Sequence, residues 1–218
     1  MTQDSYHQAF NLENNLILMK IHIKNMVSHG CINQVAGILV DMGIPFQTIE
    51  LGEVHFEKKL SMIQELDLQF KLQQLGFSLI RDPKTLLSER IKLVIIQMVH
   101  YSDEHIKTNF SVYLSEKTKL NYTYLSNVFR TENKMTIQQF IITHKIERIK
   151  ELLLYGEMNL SEISYKMHYS SIAHLSNQFK KITGLSPSEY RHLDVIHRIP
   201  LEDIGKALAI PIIQRRIA

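Results

Sequence analysis

This sequence is poor in cysteine and in long apolar runs. It holds one cysteine in 218 residues, so an internal disulfide is impossible, and zinc ribbons and fingers, which need several cysteines, are excluded. The apolar runs are short, and none approaches the ~20 residues of a membrane-spanning helix. The first residues, Met1-Thr2-Gln3-Asp4, show no basic region leading into an apolar stretch, as a secretory signal would. We therefore expect a soluble, cytoplasmic protein without a membrane partner.

Recognisable catalytic motifs are also missing. The sequence has no Gly-rich phosphate loop, no nucleophile elbow around a serine and no His-Glu-x-x-His motif. Its histidines include four that are scattered without the spacing of metal ligands: His7, His22, His55 and His100. We predict that the protein is not an enzyme and uses no cofactor.

The chain does contain enough apolar residues for a buried core, at 44% of the total. Its formal net charge of +3 is unevenly distributed. Pro83 is the only strong break in regular structure near the middle of the chain. The net charge is −2 for residues 1–85, +4 for residues 86–191 and +1 for residues 192–218. An acidic segment followed by a basic one indicates two domains with different partners.

The segment before Pro83 alternates short apolar stretches with helical patterns. We predict strands over residues 16–23, 44–51, 54–56 and 77–80, with a turn at Gly52 and Glu53. Helices are predicted over 32–42 and 61–75, the second carrying Met62, Leu66 and Phe70 in its apolar pattern. The order βαββαβ predicts a ferredoxin-like α+β sandwich over residues 16–82, preceded by an N-terminal tail, 1–15.

The segment after Pro83 is helical and contains an internal repeat with an offset of about fifty residues. The first copy holds Leu125-Ser126-Asn127-Val128-Phe129-Arg130, and the second holds Leu175-Ser176-Asn177-Gln178-Phe179-Lys180. An aromatic residue follows each of these phenylalanines, Phe140 in the first copy and Tyr190 in the second. Capping boxes are predicted at 136–139 and 186–189.

Each copy predicts a helix-turn-helix unit within an all-α domain. The second helix of each unit would begin at an N-cap, Asn121 or Ser170, and bury residues spaced i, i+3 and i+4. A continuous helix over 136–154, roughly 28 Å long, would join the units. The two recognition helices could then enter major-groove windows about 34 Å apart. A single such unit could equally be plain helix packing, whereas two matched copies in the basic segment favour DNA binding.

Residues 86–191 resemble the C-terminal DNA-binding domain of AraC/XylS-type transcription regulators. The most specific match is Phe179-Lys180-Lys181-Ile182-Thr183-Gly184-Leu185-Ser186-Pro187-Ser188-Glu189-Tyr190-Arg191, and residues 124–130 and 143–153 match as well. The chain departs from the family at three places, with His168-Tyr169 for Gly-Phe, Ser164 for Ala and Lys134 for Gly. The two lost glycines would affect turn geometry.

The resemblance implies sequence-specific binding of double-stranded DNA and regulation of transcription. By position, the base-reading residues would be Thr123, Ser126, Asn127, Ile172, Ala173 and Asn177. The phosphate contacts would be Arg130, His174, Lys180 and Lys181. RNA polymerase and a second copy of the chain, joined through the N-terminal domain, are further candidate partners.

Residues 16–82 more loosely resemble the heavy-metal-associated domain of copper chaperones and metal pumps. That family carries Gly-Met-x-Cys-x-x-Cys after the first strand, where this chain has Met26 and Cys31 but Ser28 in place of the first cysteine. A soft ion such as Cu(I) favours two thiolates. We predict no metal site here, and Met26, His29 and Cys31 are the only candidate ligands.

Two alternatives remain open at this point. The protein could be a metal-responsive binding or chaperone-like protein whose helical half contacts other proteins, or a DNA-binding module with no effector. A steep fall of binding with salt concentration would favour DNA as the partner. Residues 192–218 lie outside the family pattern, and the sequence gives no function for this tail.

Overall fold

The computed structural model describes residues 19–102, 109–193 and 198–204. The chain divides into two compact units, Met1–Leu86 and Leu87–Ala218. The predicted tail 1–15, the first residues of the strand predicted at 16–23 and most of the C-terminal tail lie outside the described residues.

The first unit is built on a four-stranded antiparallel sheet. Its strands are β1 (Met19–Lys24), β2 (Thr48–Glu50), β3 (Glu53–Phe56) and β4 (Ser78–Ile80), in the spatial order β2-β3-β1-β4. Ile21 of β1 lies opposite Val54 of β3, and Ile23 opposite Leu79 of β4. Side chains alternate between the two faces of a strand, so these four residues line one apolar face of the sheet.

Two helices complete the core of this unit. Helix α1 (His29–Asp41) starts where the Ser28 side chain accepts the Cys31 N–H, and α2 (Met62–Gln74) starts at a capping box formed by Ser61 and Gln64. Both helices bury apolar residues in the same cluster as the sheet face: Val35, Ile38 and Leu39 from α1, and Leu68 and Leu72 from α2. The unit is therefore α+β, as predicted.

Three details of the sequence prediction for this unit are wrong. The strand predicted at 44–51 is reduced to Thr48–Glu50; Ile44 is buried in the core ahead of that strand. Glu53 begins β3 instead of forming the turn, which Gly52 makes at a φ of 81°. Helix α2 also presents a different face to the core. Met62, Leu66 and Phe70 are 81%, 57% and 62% exposed, because Leu68 and Leu72 face the core.

The second unit is helical. Its elements are α3 (Pro83–Ile96), which crosses the unit boundary, a π-helical turn (Gln97–Tyr101), α4 (Phe110–Thr118), α5 (Tyr122–Asn133), α6 (Ile137–Tyr155), α7 (Leu160–Lys166), α8 (Ile172–Thr183) and α9 (Pro187–Arg191). One apolar cluster includes residues from all of them. None of the helices in the described ranges is both long and apolar enough to cross a membrane.

Candidate DNA-binding surface

The two predicted helix-turn-helix units are α4 with α5 and α7 with α8. Asn121 caps α5, as predicted, and its side chain accepts the Thr123 N–H at 2.8 Å. Ser170 was predicted to cap α8, but the cap is Ser171. Its backbone is extended, and its hydroxyl accepts the His174 N–H at 3.1 Å. The Ser170 hydroxyl instead forms a hydrogen bond with the His174 ring, also at 3.1 Å.

Helix α5 separates its apolar and polar residues cleanly. Leu125, Val128 and Phe129 are buried in the core. The candidate DNA contacts lie on the opposite side, where Thr123, Asn127 and Arg130 are exposed and Ser126 is half-buried. Positions i, i+3, i+4 and i+7 share one helix face, so these four side chains form one continuous polar stripe, which we call the α5 face.

Helix α8 repeats this arrangement. Leu175 and Phe179 are buried, whereas the candidate contacts on the other side are all exposed: Ile172, Ala173, His174, Asn177, Lys180 and Lys181. We call this surface the α8 face. The His174 ring packs edge-on against Tyr169, with 5.2 Å between ring centroids, and its Nδ1 is hydrogen-bonded to Ser170. These two contacts fix the orientation of the His174 ring.

The repeated aromatic residues fix both recognition helices in the same way. Phe129 of α5 packs edge-on against Phe140, with centroids 5.4 Å apart, and Phe179 of α8 packs edge-on against Tyr190 at 5.3 Å. Edge-to-face pairs at this separation are favourable beyond the area that they bury. Each recognition helix is thus held against the helix that follows it.

The predicted connecting helix is α6, and both predicted capping boxes are present, formed by Thr136 and Gln139 and by Ser186 and Glu189. Its 19 residues correspond to a length of about 28 Å. Within it lies an ion pair between Glu147 and Lys150, which are 3% and 5% exposed, with 2.5 Å between Oε1 and Nζ. The other oxygen of Glu147 accepts the Ile199 N–H at 3.1 Å. Part of the C-terminal tail is therefore anchored on α6.

At the two positions where the family has glycine, this chain has a left-handed backbone. Lys134 and His168 both adopt left-handed backbone conformations, with φ values of 57° and 55°. A residue with a Cβ adopts this conformation at a cost that glycine avoids. An effect of the two substitutions on turn geometry stays a prediction, and the left-handed conformations indicate backbone strain in the turns that follow α5 and α7.

Two histidines form a hydrogen-bonded pair inside the second unit. His100 Nε2 lies 3.1 Å from His144 Nδ1, and the His144 ring is wholly buried against Phe140, with centroids 4.3 Å apart. Burial, together with the positive charge of Arg148, lowers the pKa of His100 to about 4. Burial and the neighbouring His100 lower that of His144 to about 3. Both rings are neutral at pH 7.

The candidate metal ligands of the first unit differ in their exposure. Met26 and Cys31 are buried among the apolar core residues, and the Cys31 sulfur lies 3.2 Å from the Ser28 hydroxyl. His29 is exposed at the start of α1. Within the described ranges, no group of three or more His, Cys, Asp or Glu side chains is arranged to hold a metal ion.

The structure adds one residue to the candidate DNA contacts. Tyr124, beside Thr123 in the first turn of α5, is 49% exposed. The signal for it in the sequence was indirect. Tyr124 lies outside the buried stripe that Leu125, Val128 and Phe129 form.

Part of this chain is similar to known proteins. A family model described as a helix-turn-helix domain matches residues 114–192. The melibiose operon regulatory protein of Escherichia coli (strain K12) is 24% identical over 199 residues, which cover 84% of this chain and 65% of that protein. The Msm operon regulatory protein of Streptococcus mutans serotype c is 30% identical over 78 residues, which cover 36% of this chain and 28% of that protein.

Among solved structures, the chain is similar to the C-terminal domain of AraT, a response regulator from Geobacillus stearothermophilus. The TM-score is 0.45 at 24% identity, over 53% of this chain and 92% of that domain.

The family model therefore assigns residues 114–192 to a helix-turn-helix domain, and within those residues the predicted resemblance to AraC/XylS-type regulators is confirmed. This domain is characteristic of DNA-binding transcription regulators. The chain spans less than two thirds of the melibiose regulator and a smaller share of the Msm regulator.

Proposed function

We propose that the protein is a transcription regulator that binds a specific DNA sequence through both helix-turn-helix units. The observation that carries the proposal is the duplication. Each recognition helix buries a leucine and a phenylalanine four residues apart, makes the same edge-on aromatic contact and exposes its candidate DNA contacts. As a regulator of this kind, the protein has no catalytic activity and needs no cofactor. With DNA as its partner, it belongs in the cytoplasm of a bacterial-type cell.

The α5 and α8 faces are proposed to divide base reading from phosphate binding. Asn127 and Asn177 are exposed amides that can pair with an adenine edge, and the exposed Ile172 and Ala173 suit a thymine methyl group. Thr123 and Ser126 are the remaining base-reading candidates.

The longer cationic residues of these faces are proposed to meet phosphates. Arg130, Lys180 and Lys181 lie toward the ends of their helices, and His174 joins this group because its ring is already oriented. Such contacts position the protein without reading sequence.

The proposed domain organisation is a DNA-binding domain over residues 86–191 and a ferredoxin-like domain over residues 16–82. The strand order β2-β3-β1-β4, the antiparallel pairing of every neighbour and the single core shared with α1 and α2 support the second assignment.

Selection of bound duplexes from a random pool tests the function directly. We expect enrichment of a site that extends over about two helical turns, since two recognition helices would occupy successive major-groove windows. If no such site is enriched, the proposed function is wrong.

The Asn127→Ala variant tests the assignment of base-reading residues. We expect it to weaken binding to the selected site by about 1–3 kcal/mol and to leave binding to unrelated DNA nearly unchanged. Gln73→Ala, an exposed amide in the first unit, is the matched control. Equal losses on specific and unrelated duplexes, measured at one salt concentration, would contradict the assignment.

A second copy of the chain is the proposed partner of the first unit, and RNA polymerase remains a further candidate. Met62, Ile63, Leu66 and Phe70 are exposed together along α2. Contiguous apolar patches of this kind mark interaction sites. Self-association through this patch would also link two DNA-binding domains and so raise their joint affinity for DNA.

Sedimentation of the full chain tests this partner. We expect a dimer for the wild-type protein and a shift toward monomer for Phe70→Lys. Gln73→Lys adds the same charge at another exposed position of α2 and is expected to leave the dimer intact. A monomeric wild-type protein at micromolar concentration would argue against the homodimer.

A further inference from the structure

The last described part of the chain, residues 198–204, contacts helix α6, and we call it the C-terminal strap. The backbone N–H of Ile199 donates to Oε2 of Glu147 at 3.1 Å. The Arg198 side chain forms an ion pair with Glu151, with 3.3 Å between Nη2 and Oε2. These two contacts, one from the backbone and one from a side chain, attach the strap to two acidic residues one helical turn apart on α6.

The hydrogen bond from the strap reaches a buried charge. Glu147 and Lys150 are 3% and 5% exposed, and the Lys150 ammonium group pairs with Oε1 of Glu147. A carboxylate oxygen that is buried without a hydrogen-bond donor is unfavourable. The Ile199 N–H therefore satisfies the second oxygen of a carboxylate that water hardly reaches, and it restrains the position of that carboxylate.

The buried pair continues toward the second recognition helix. Lys150 Nζ lies 5.9 Å from the centroid of the Tyr190 ring, within the range of a cation–π contact. Burial raises the pKa of Tyr190, and the negative charge of Glu147 raises it further, so the pair and the phenol are close neighbours. The Tyr190 ring in turn packs edge-on against Phe179 of α8. A contiguous series of contacts thus runs from the strap to α8.

The first recognition helix is supported by a different set of contacts. Phe129 of α5 packs against Phe140, and the Phe140 ring packs against the buried His144 ring, with centroids 4.3 Å apart. His144 is neutral at pH 7, because burial lowers its pKa to about 3. Neutral rings therefore support α5, whereas a charged pair that the strap contacts supports α8. A change in the strap should affect α8 more than α5.

We propose that the C-terminal strap positions the recognition helix α8: the Ile199 N–H fixes Glu147, which holds Lys150 against Tyr190 and so sets where α8 lies. Ile199 is a positioning residue that acts through these side chains. The consequence for DNA binding rests on the proposed function, whereas the effect of the strap on α8 does not.

Amide hydrogen exchange of the full chain, measured by mass spectrometry without DNA, tests the effect on α8. Ile199→Pro removes the N–H that Glu147 accepts. Ile199→Ala keeps this N–H, although it loses most of the side chain, and is the matched control. We expect Ile199→Pro to speed exchange in α8 about 5-fold or more and to leave α5 unchanged. Ile199→Ala is expected to match the wild-type protein in both helices.

Three results of this measurement would overturn the proposal. Unchanged exchange in α8 would show that the hydrogen bond does not position the helix. An equal rise in α5 and α8 would indicate a general loss of stability. The same rise in Ile199→Ala would assign the effect to the side chain instead of the N–H.

Binding of the selected duplex tests the consequence for DNA. We expect Ile199→Pro to raise the Kd about 5-fold or more and Ile199→Ala to leave it unchanged. Replacing one half of the selected site with unrelated sequence should then cost Ile199→Pro less affinity than it costs the wild-type protein, while replacing the other half should cost both proteins equally. An unchanged Kd, or equal effects on the two halves, contradicts a role confined to α8. Failure to select any duplex would refute the proposed function and leave the exchange result standing.

Discussion

The His100–His144 pair makes the second unit sensitive to acid. Both rings are neutral when the protein is folded, and the ordinary pKa of 6.5 applies to each once the chain unfolds. When folding lowers the pKa of a histidine, the protein is most stable at pH values above the pKa that this histidine has in the unfolded chain. That stability is lost as the pH falls below 6.5, because the unfolded chain then binds protons that the folded chain does not.

The magnitude follows from the two pKa values. Lowering the pH from 8 to 5.5 reduces the free energy of unfolding by about 1.4 kcal/mol for each histidine. For the pair, the reduction is about 3 kcal/mol. The loss continues toward the folded pKa values of about 4 and 3. A domain of ordinary stability has roughly 5–15 kcal/mol, so this loss is a large share of the total.

Urea unfolding followed by circular dichroism at pH 8.0, 6.5 and 5.5 measures the effect. The double variant His100→Gln/His144→Gln lacks both titrating rings, so we expect its loss between pH 8.0 and 5.5 to be about 3 kcal/mol smaller than that of the wild-type protein. Gln73→Ala, at an exposed position of α2, is the control and should match the wild-type pH dependence. A double variant that loses as much stability as the wild-type protein would refute the reasoning.

Two further predictions concern stability measured by urea unfolding at neutral pH. Glu147→Gln is expected to destabilise the protein by about 3–5 kcal/mol, because Lys150 would remain buried without its counter-ion; a loss below about 1 kcal/mol would show that the pair is dispensable. Lys134→Gly is expected to stabilise the protein by about 0.5–1 kcal/mol, because glycine adopts the left-handed conformation without strain. Part of the gain is lost because glycine also gives the unfolded chain more conformational freedom. Gly156 is a glycine in the left-handed conformation after α6. Gly156→Ala is the reverse substitution and is expected to destabilise the protein.

The helical half could be predicted closely from the sequence because its signals are local. Leu125, Val128 and Phe129 define the buried side of α5 by spacing alone, and Leu175 and Phe179 do the same for α8. The capping boxes at Thr136 and Ser186 each depend on residues three apart. The α8 cap shows the limit of this reasoning. Ser170 and Ser171 are equally suitable by residue type, and only the backbone conformation selects Ser171.

The first unit was harder to predict because its helix α2 carries apolar residues on more than one side. Met62, Leu66 and Phe70 are spaced as regularly as Leu68 and Leu72, so periodicity alone could not assign the buried side. Packing against the sheet decided it, and the other stripe stayed exposed.

The sequence by itself determined the helical second half, the duplicated helix-turn-helix pattern and the exposed sides of the recognition helices. These features depend on residues within one or two helical turns of each other. Tertiary structure alone decided the groupings that span long stretches of chain. It brought His100 to His144, placed Ile199 on Glu147 and linked Lys150 to Tyr190. Such contacts depend on how helices pack, and spacing along the chain does not encode them.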